Sequence, residues 1–378
     1  MLPFSLDAID ETVLTALVSN QVAERRDLEF KRDLPGGKDE DVKEFLADVT
    51  SLANAQGGDL LFGVEDIGGV ASAIIGLQPI DADREILRLD NIMRDGVEPR
   101  LVGVRTLWIP VSSGGVILIR VPASFAAPHR VRFKNSGRFF NRTSRGKYEM
   151  DVHELRNAFT QSEGLPQRFR LQHDEAVDGA RGSEMPFPVT KEPTAVATFM
   201  PTGMFRELRE LFVDEKNAVL PVKPSNVSWM HTLEGFLVHS PVNDQGTVRS
   251  YAHTHRNGRV DIVWTFGGTH ETARGTDQLC WPNRFEQGVL GQATSAQAKF
   301  RALGVDEPWV ILVTVFGIKG FRLVLGDYDA SARSWRNGAT LPQLVLERVN
   351  EQGLTPLFKS FWLLFGEQRP ADRQIGSV

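Results

Sequence analysis

Residues Glu24-Arg25-Arg26-Asp27-Leu28-Glu29-Phe30-Lys31, followed later by Leu60-Leu61-Phe62-Gly63-Val64-Glu65-Asp66, decide how the chain folds. Leu28 and Phe30 alternate with Asp27, Glu29 and Lys31, which is the two-residue period of a half-buried strand. That period sets Glu29 and Lys31 on one face, pointing away from the core. After a loop at Gly36-Gly37, the apolar residues Val42, Phe45, Leu46, Val49 and Leu52 recur at helical spacing. They predict an amphipathic helix from about Asp39 to Ala55, ended by Gly57-Gly58. Leu60 to Val64 is a continuous apolar run, as expected of a strand covered on both faces. Glu65 and Asp66 then fall at its C-terminal end, where open α/β sheets tend to place their sites.

Working outward, Ile9, Val13, Leu14 and Leu17 predict a helix over 7–19, and another is expected over 83–95, with strands over 101–109 and 115–121. A helix is expected over 151–170, interrupted near Gly164-Leu165-Pro166, and the polar stretch 172–193 supplies a linker. A chain of 378 residues accommodates two cores. The expected division is 1–175, a linker over 176–192, and a second domain over 193–378. In that second part Thr194–Met200, Asp261–Thr265, Trp309–Val315 and Phe321–Leu325 read as strands, with Arg256-Asn257-Gly258-Arg259 a hairpin turn. Residues 283–303 and 341–350 read as helices. The fold class is α/β (mixed α+β) in both parts.

Composition narrows the function. A net charge of −5 argues against a surface that binds nucleic acid all over, and leaves a local basic stripe as the relevant test. The lone Cys280 rules out a disulfide framework or a zinc site of several thiolates. No signal peptide is visible and no run approaches the roughly 20 apolar residues of a membrane helix, so a cytoplasmic chain is expected.

Two constellations carry chemistry. Glu24 and Glu29 are five apart, and Asp66 follows one helix and one strand later. Carboxylates gathered by a fold can hold Mg²⁺ or Mn²⁺, which activates water and neutralises a phosphodiester; Lys31 beside Glu29 could meet transition-state charge. The plainer possibility is that these acids are solvated or paired with Arg25 and Arg26. The second constellation is basic: His129, Arg130, Arg132, Lys134, Arg138, Arg142, Arg145 and Lys147, interleaved with Phe133, Phe139, Phe140 and Tyr148. Guanidinium groups grip phosphates and aromatic faces stack on unpaired bases. Alternatively, the cations balance acidic neighbours and the phenylalanines fill the core. His253 and His255 share a strand face but lack an evident third metal ligand, so a hairpin surface is the expectation there. Cys280 beside Trp281 reads as a small buried residue, and Trp362 with Phe361 and Phe365 as core. Gly146-Lys147-Tyr148 does not form a phosphate loop.

Taken in order, Glu24…Leu28-Glu29-Phe30-Lys31, Leu52-Ala53-Asn54-Ala55-Gln56-Gly57-Gly58, Leu61-Phe62-Gly63-Val64-Glu65-Asp66, Arg138-Phe139-Phe140-Asn141-Arg142 and Met150…Glu154-Leu155 resemble the Schlafen AlbA-2 domain, over about residues 10–160. The resemblance implies an α/β nucleic-acid-binding fold. In nuclease members it implies metal-dependent cleavage of structured RNA such as tRNA by two glutamates and an aspartate. These map to Glu24, Glu29 and Asp66, with Glu65 the fallback for the third. Arg130, Arg132, Lys134, Arg138, Arg142, Arg145 and Lys147 would hold the substrate backbone. Animal Schlafens carry two related lobes and a structural zinc site. This chain shows one lobe and no counterpart of the zinc site, so a homodimer is expected to supply the second lobe. The expectation is thus a metal-dependent endoribonuclease, with phage defence a plausible context. The alternative is a non-catalytic nucleic-acid-binding module of a transcription regulator or defence protein.

Overall fold

The computed structural model describes all residues except 1, 3–5, 79–80, 144–145, 183–184, 186, 206–209, 224, 273–274, 306–307, 327–328 and 376–378. The chain divides into two compact units, the first built mainly from Met1–Pro166 and the second from most of the remainder.

In the first unit, helix α1 (Glu11–Ser19) starts at Asp10, whose side chain accepts from the Val13 N–H at 3.0 Å. Strand β1 (Leu28–Lys31), helix α2 (Asp39–Asn54) and strand β2 (Gly57–Phe62) follow in the order the sequence predicts, with β2 starting at the glycines expected only to end the helix. After the hairpin β3 (Val64–Ile67) and β4 (Val70–Ile74) come helix α3 (Ala82–Gly96), the short β5 (Val97–Glu98), and the long strands β6 (Arg105–Val111) and β7 (Gly114–Pro122). The main sheet has the order β1-β2-β7-β6, with β1 and β2 parallel and the other pairs antiparallel. Leu28, Phe30, Leu61 and Leu118 pack on one face with Leu14 and Leu17 of α1. Leu60, Phe62, Ile117 and Ile119 pack on the other with Phe45, Val49 and Leu52 of α2 and Leu89 and Met93 of α3. Both faces are covered, which accounts for the unbroken apolar runs.

Gly58 is required where α2 turns into β2, since a Cβ there would lie 2.5 Å from the carbonyl oxygen of Asp27 in the chain leading to β1. The expected strand through Val64 stops early. Gly63, at φ +96°, turns the chain, so Glu65 and Asp66 sit in the β3–β4 hairpin and not at the end of a main-sheet strand.

The basic segment contributes β8 (Arg130–Val131), β9 (Phe140–Thr143) and β10 (Gly146–Glu149). Helix α4 (Val152–Arg181) runs straight through Gly164-Leu165-Pro166, where an interruption was expected, and into the stretch expected as linker. Proline costs a backbone hydrogen bond there, but Leu165 and Phe169 are fully buried on either side of it.

In the second unit, an antiparallel sheet joins β11 (Thr194–Pro201), β12 (Ser228–His231), β13 (Gly235–His239), β14 (Ser250–His255) and β15 (Val260–Thr265). The smaller strands β16 (Gly267–Thr272) and β17 (Gly275–Cys280) lead to helix α5 (Pro282–Ala302). Then follow β18 (Trp309–Phe316), β19 (Arg322–Leu323), β20 (Gly338–Thr340), β21 (Leu344–Leu346) and helix α6 (Glu351–Leu363). The sheet order is β12-β13-β14-β15-β11-β18-β20, with β21 also on β18. Leu344, Val345 and Leu346 therefore pair with Ile311, Val310 and Trp309, where a helix over 341–350 was expected. Helix formation waits for Asn350, whose side chain caps Gly353 N–H at 2.8 Å. Phe285 and Phe361 stack at 3.8 Å between ring centroids, and Trp362 is buried, so the aromatic cluster is core. Among the described residues no helix is long and apolar enough to cross a membrane.

Candidate functional site

The hairpin β3–β4 brings the third acid to the first. Ala23 bridges to Val70, and Gly69 touches both acids: its N–H donates to Asp66 Oδ2 at 2.9 Å, and its carbonyl accepts from Glu24 N–H at 2.6 Å. Glu24 is also tied to β1, its Oε1 accepting from Phe30 N–H at 2.8 Å. Burial raises the proton affinity of Glu24, and the carboxylates of Glu29 and Asp66 raise it further, against the Phe30 N–H and Lys31. Glu24, Glu29, Asp66 and Lys31 thus share one electrostatic neighbourhood, in which Asp66 is exposed and Glu29 nearly buried. Glu65, the alternative third acid, pairs instead with Arg32 at 2.9 Å.

Glu29 and Lys31 do share a face, but that face is covered. Lys31 Nζ donates to Glu29 Oε1 at 2.7 Å and lies 3.6 Å from Asp48 Oδ2 on α2. Arg142 Nη2 donates to Glu29 Oε2 at 2.6 Å and to the Arg25 carbonyl at 3.2 Å. Lys147 Nζ donates to Asp48 Oδ1 at 2.6 Å and also reaches Glu44. Burial pushes Glu29 upward, but Lys31 and Arg142 outweigh it and hold the carboxyl below its ordinary range. Burial wins at Asp48, which is raised against the pull of Lys147 and Lys31, with Glu29 adding to the rise. Lys31 is raised, because Asp48, Glu29 and Glu24 together exceed the effect of its own burial.

The basic segment separates into two groups. Arg130, Arg132, Lys134 and Arg138 lie on the exposed side of a hairpin closed by the bridges Arg130–Phe139 and Phe133–Ser136. Their partners are exposed as well: Glu98 for Arg130 and Arg132, Asp39 for Lys134, Glu149 for Arg138. Exposed pairs of this kind contribute about 0–1 kcal/mol, so these cations remain able to meet phosphates. Arg142 and Lys147 point inward to the acids instead, and Arg142 is only 1% exposed. Arg145 lies outside the described residues. The interleaved aromatics also pack inward: Phe133 and Phe140 against the α2 core, Phe139 edge-on to Phe159, and Tyr148 through its hydroxyl to Glu154 at 2.7 Å.

Two residues given no role from the sequence organise this site. Asp48 stands on the apolar stripe of α2, three residues after Phe45 and four before Leu52, and a charge at a core position is the signal that could have found it. Asn54 clamps the basic segment to α2: its amide donates to the carbonyls of His129 and Phe140, both at 2.8 Å, and its Oδ1 accepts from His129 N–H at 2.6 Å.

A divalent ion needs open oxygens aimed at one point. Both oxygens of Glu29 are held by cations, and one each of Glu24 and Asp66 by backbone N–H groups. Among the described residues no group of three His, Cys, Asp or Glu side chains is set to hold an ion. As arranged, the acids do not fit a bound Mg²⁺ or Mn²⁺.

The N-terminal unit is an α/β domain that carries an acidic cluster and an exposed basic hairpin. Residues 24–151 match the family model described as Schlafen, AlbA_2, and the N-terminal unit belongs to the Schlafen AlbA-2 domain family. No curated protein matches the chain. Among solved structures, the DIP2311 protein from Corynebacterium diphtheriae is similar at 19% identity and a TM-score of 0.28, over 38% of this chain and 27% of that one. This chain thus spans about a quarter of that structure's length. The solution structure of the N-terminal domain of a protein described as RecG-related, from Nitrosomonas europaea, is similar at 22% identity and a TM-score of 0.25, over 31% of this chain and 74% of that one.

Proposed function

We propose that the N-terminal unit binds structured RNA, tRNA in the first instance, and cleaves it as an endoribonuclease. The observation that carries this reading is that the β3–β4 hairpin brings Asp66 to Glu24, Glu29 and Lys31, which lie within eight residues of one another. Glu24 holds its proton more tightly than an ordinary carboxylate and is the group suited to exchange one with substrate. Lys31 stays charged and can face negative charge developing on a phosphate. Arg130, Arg132, Lys134 and Arg138 hold the RNA backbone, while Arg142 and Lys147 hold the acids in place. Arg138 is four residues from Arg142, so at most about 14 Å of extended chain separates the binding hairpin from the acid cluster. A second copy of the chain is the proposed partner that lengthens the binding surface.

The second reading, a non-catalytic binding module, is favoured by one observation: both oxygens of Glu29 are already paired. One experiment separates the two. The chain is incubated with tRNA, single-stranded RNA and DNA, in Mg²⁺, Mn²⁺ or EDTA, beside Asp66→Asn. Asp66 is exposed, so this substitution reports on chemistry with the fold intact. Cleavage of RNA that the variant loses supports the nuclease, and the EDTA arm decides whether an ion takes part. Binding without cleavage under every condition establishes the module.

A further inference from the structure

In the first unit a groove of about 510 Å³ lies between α3 and the tip of the basic hairpin, and its wall includes Arg84, Leu87, Asn91, Asp95 and Phe133. The four helix residues recur at intervals of three and four, so they share one face of α3. The two walls are joined by backbone. Val97 and Glu98 of β5, directly after α3, pair with Val131 and Arg130 of β8, and Arg132 N–H donates to the Gly96 carbonyl at 2.7 Å. The turn beyond is closed by Ser136 N–H, which donates to the Phe133 carbonyl at 2.9 Å. Both walls are therefore fixed in the free chain.

Phe133 is half-buried, packing on the α2 core while also lining the groove. Asn91 is half-buried too, and its carboxamide has no hydrogen-bond partner among the described residues. A carboxamide offers a donor and an acceptor side by side, which is the pattern that reads a base edge. Cations stand around the opening: Arg84 is exposed on α3, and the exposed Arg132 and Lys134 precede and follow Phe133. The acid in the wall, Asp95, is exposed and held by Arg94 at 3.2 Å. Glu98 and Asp39 pair with Arg132 and Lys134 in exposed contacts that a phosphate can replace. An aromatic wall with an unpaired amide, and cations set outside them, suits one base drawn out of a strand whose phosphates stay on the surface.

We propose that this groove receives one unpaired base of the bound RNA, stacked against Phe133 and hydrogen-bonded at its edge by Asn91, with Arg84, Arg132 and Lys134 on the flanking phosphates. The inference rests on the reading of the N-terminal unit as an RNA-binding domain, and it gives that reading a preference. The favoured RNA is structured but carries a bulged or looped-out base. In an uninterrupted duplex the bases are stacked and paired, and the deep major groove excludes side chains, so only the cations find a partner. Adenine is the expected base, because its amino group and N7 match the acceptor and the donor of an asparagine side chain. The exposed cations then supply affinity, while Phe133 and Asn91 supply selection.

The test is fluorescence anisotropy of the full chain, in EDTA, on blunt RNA duplexes of one sequence: fully paired, with one bulged adenine, with a bulged uracil, and with an abasic bulge. The wild type should bind the bulged adenine about 5–150-fold more tightly than the abasic bulge, the effect of removing one stacked base. The uracil bulge should fall between them. Phe133→Leu keeps an apolar contact with α2 but lacks the ring. It and Asn91→Ala should each shrink the adenine-to-abasic ratio while leaving the abasic duplex bound as by the wild type. Arg132→Ala should weaken every duplex and leave the ratio unchanged. Equal wild-type binding of the adenine and abasic bulges overturns the base site, as does a ratio that survives both Phe133→Leu and Asn91→Ala. Those outcomes leave the RNA-binding reading standing, whereas no binding to any duplex overturns both. If Phe133→Leu fails to fold, the wild type and Asn91→Ala decide.

Discussion

The two units surround part of their buried charge by different means. In the first, Glu29 and Asp48 are met by the side chains of Lys31, Arg142 and Lys147. In the second, Glu286 is likewise met by Arg369 and Arg373, but the buried pair of Asp261 with Arg259, at 2.7 Å, is surrounded by imidazoles. His253 and His255 are not a hairpin surface as the sequence suggested, since each is only 7% exposed. His255 donates to Asp261, and Thr198 Oγ1 donates to its other oxygen at 2.9 Å. His173 links Thr198 to Thr314, at 2.9 and 2.7 Å, deep in the sheet. The first network is built from lysine, arginine and carboxylate groups, while the second takes in two rings, His173 and His253, that burial holds neutral. The two units should therefore respond differently both to losing a partner and to acid.

The largest effect is expected from breaking the first network. Arg142→Ala leaves Glu29 buried with only Lys31, and removal of one member of a buried pair costs about 3–5 kcal/mol. Denaturant unfolding with hydrogen exchange read on peptides from 28–62 checks this, and Glu29→Gln added to Arg142→Ala should recover part of the loss. A loss below about 1 kcal/mol would show that water replaces the guanidinium freely.

Acid comes next and should strike the second unit first. Burial pushes His173 down to about 4 and His253 down to about 3, whereas an unfolded histidine titrates near about 6.5. Between those values the unfolded state binds more protons, so stability falls as pH drops below about 6.5, by about 1.4 kcal/mol per pH unit for each ring. For His173 alone this reaches on the order of 3 kcal/mol by about pH 4. In the first unit Glu29, whose value is lowered, contributes stability that is lost only as pH falls below the usual carboxylate range. Glu24 and Asp48, both raised, act in the opposite sense, because the folded state takes up their protons first. Of the seven tryptophans only Trp108 lies in the first unit, so fluorescence reports mainly on the second. Its unfolding midpoint should drop between pH 7.5 and 5 while exchange protection of residues 24–150 holds. Equal shifts in both would sink the contrast.

Asn54→Ala should cost about 1–3 kcal/mol, since it removes three hydrogen bonds that tie His129 and Phe140 to α2. The smallest stability change belongs to the exposed hairpin. Arg132→Ala should stay within about 0.5 kcal/mol yet lower the salt slope of RNA binding by about 0.7–0.9. An unchanged slope would remove Arg132 from the interface.

Short-range periodicity carried much of the fold. The alternation at Leu28–Lys31, the stripe of α2 and the apolar run at Trp309–Phe316 are each dictated by burial of neighbouring residues, and each appears where the sequence places it. The misplacements have a common cause. Leu344–Leu346 was drawn into a strand by the free edge of β18, and Pro166 was kept in a helix by burial around it. At the site, local pattern is enough to tell which groups are acidic and basic, and that Glu29 and Lys31 share a face. That the face is covered, that Gly69 joins Glu24 to Asp66, and that Arg142 serves Glu29 from 113 residues away all follow from packing of distant segments. Periodicity specifies which side of an element is buried. The partner a charged group meets there depends on contacts that close only when distant segments pack, which no local pattern encodes.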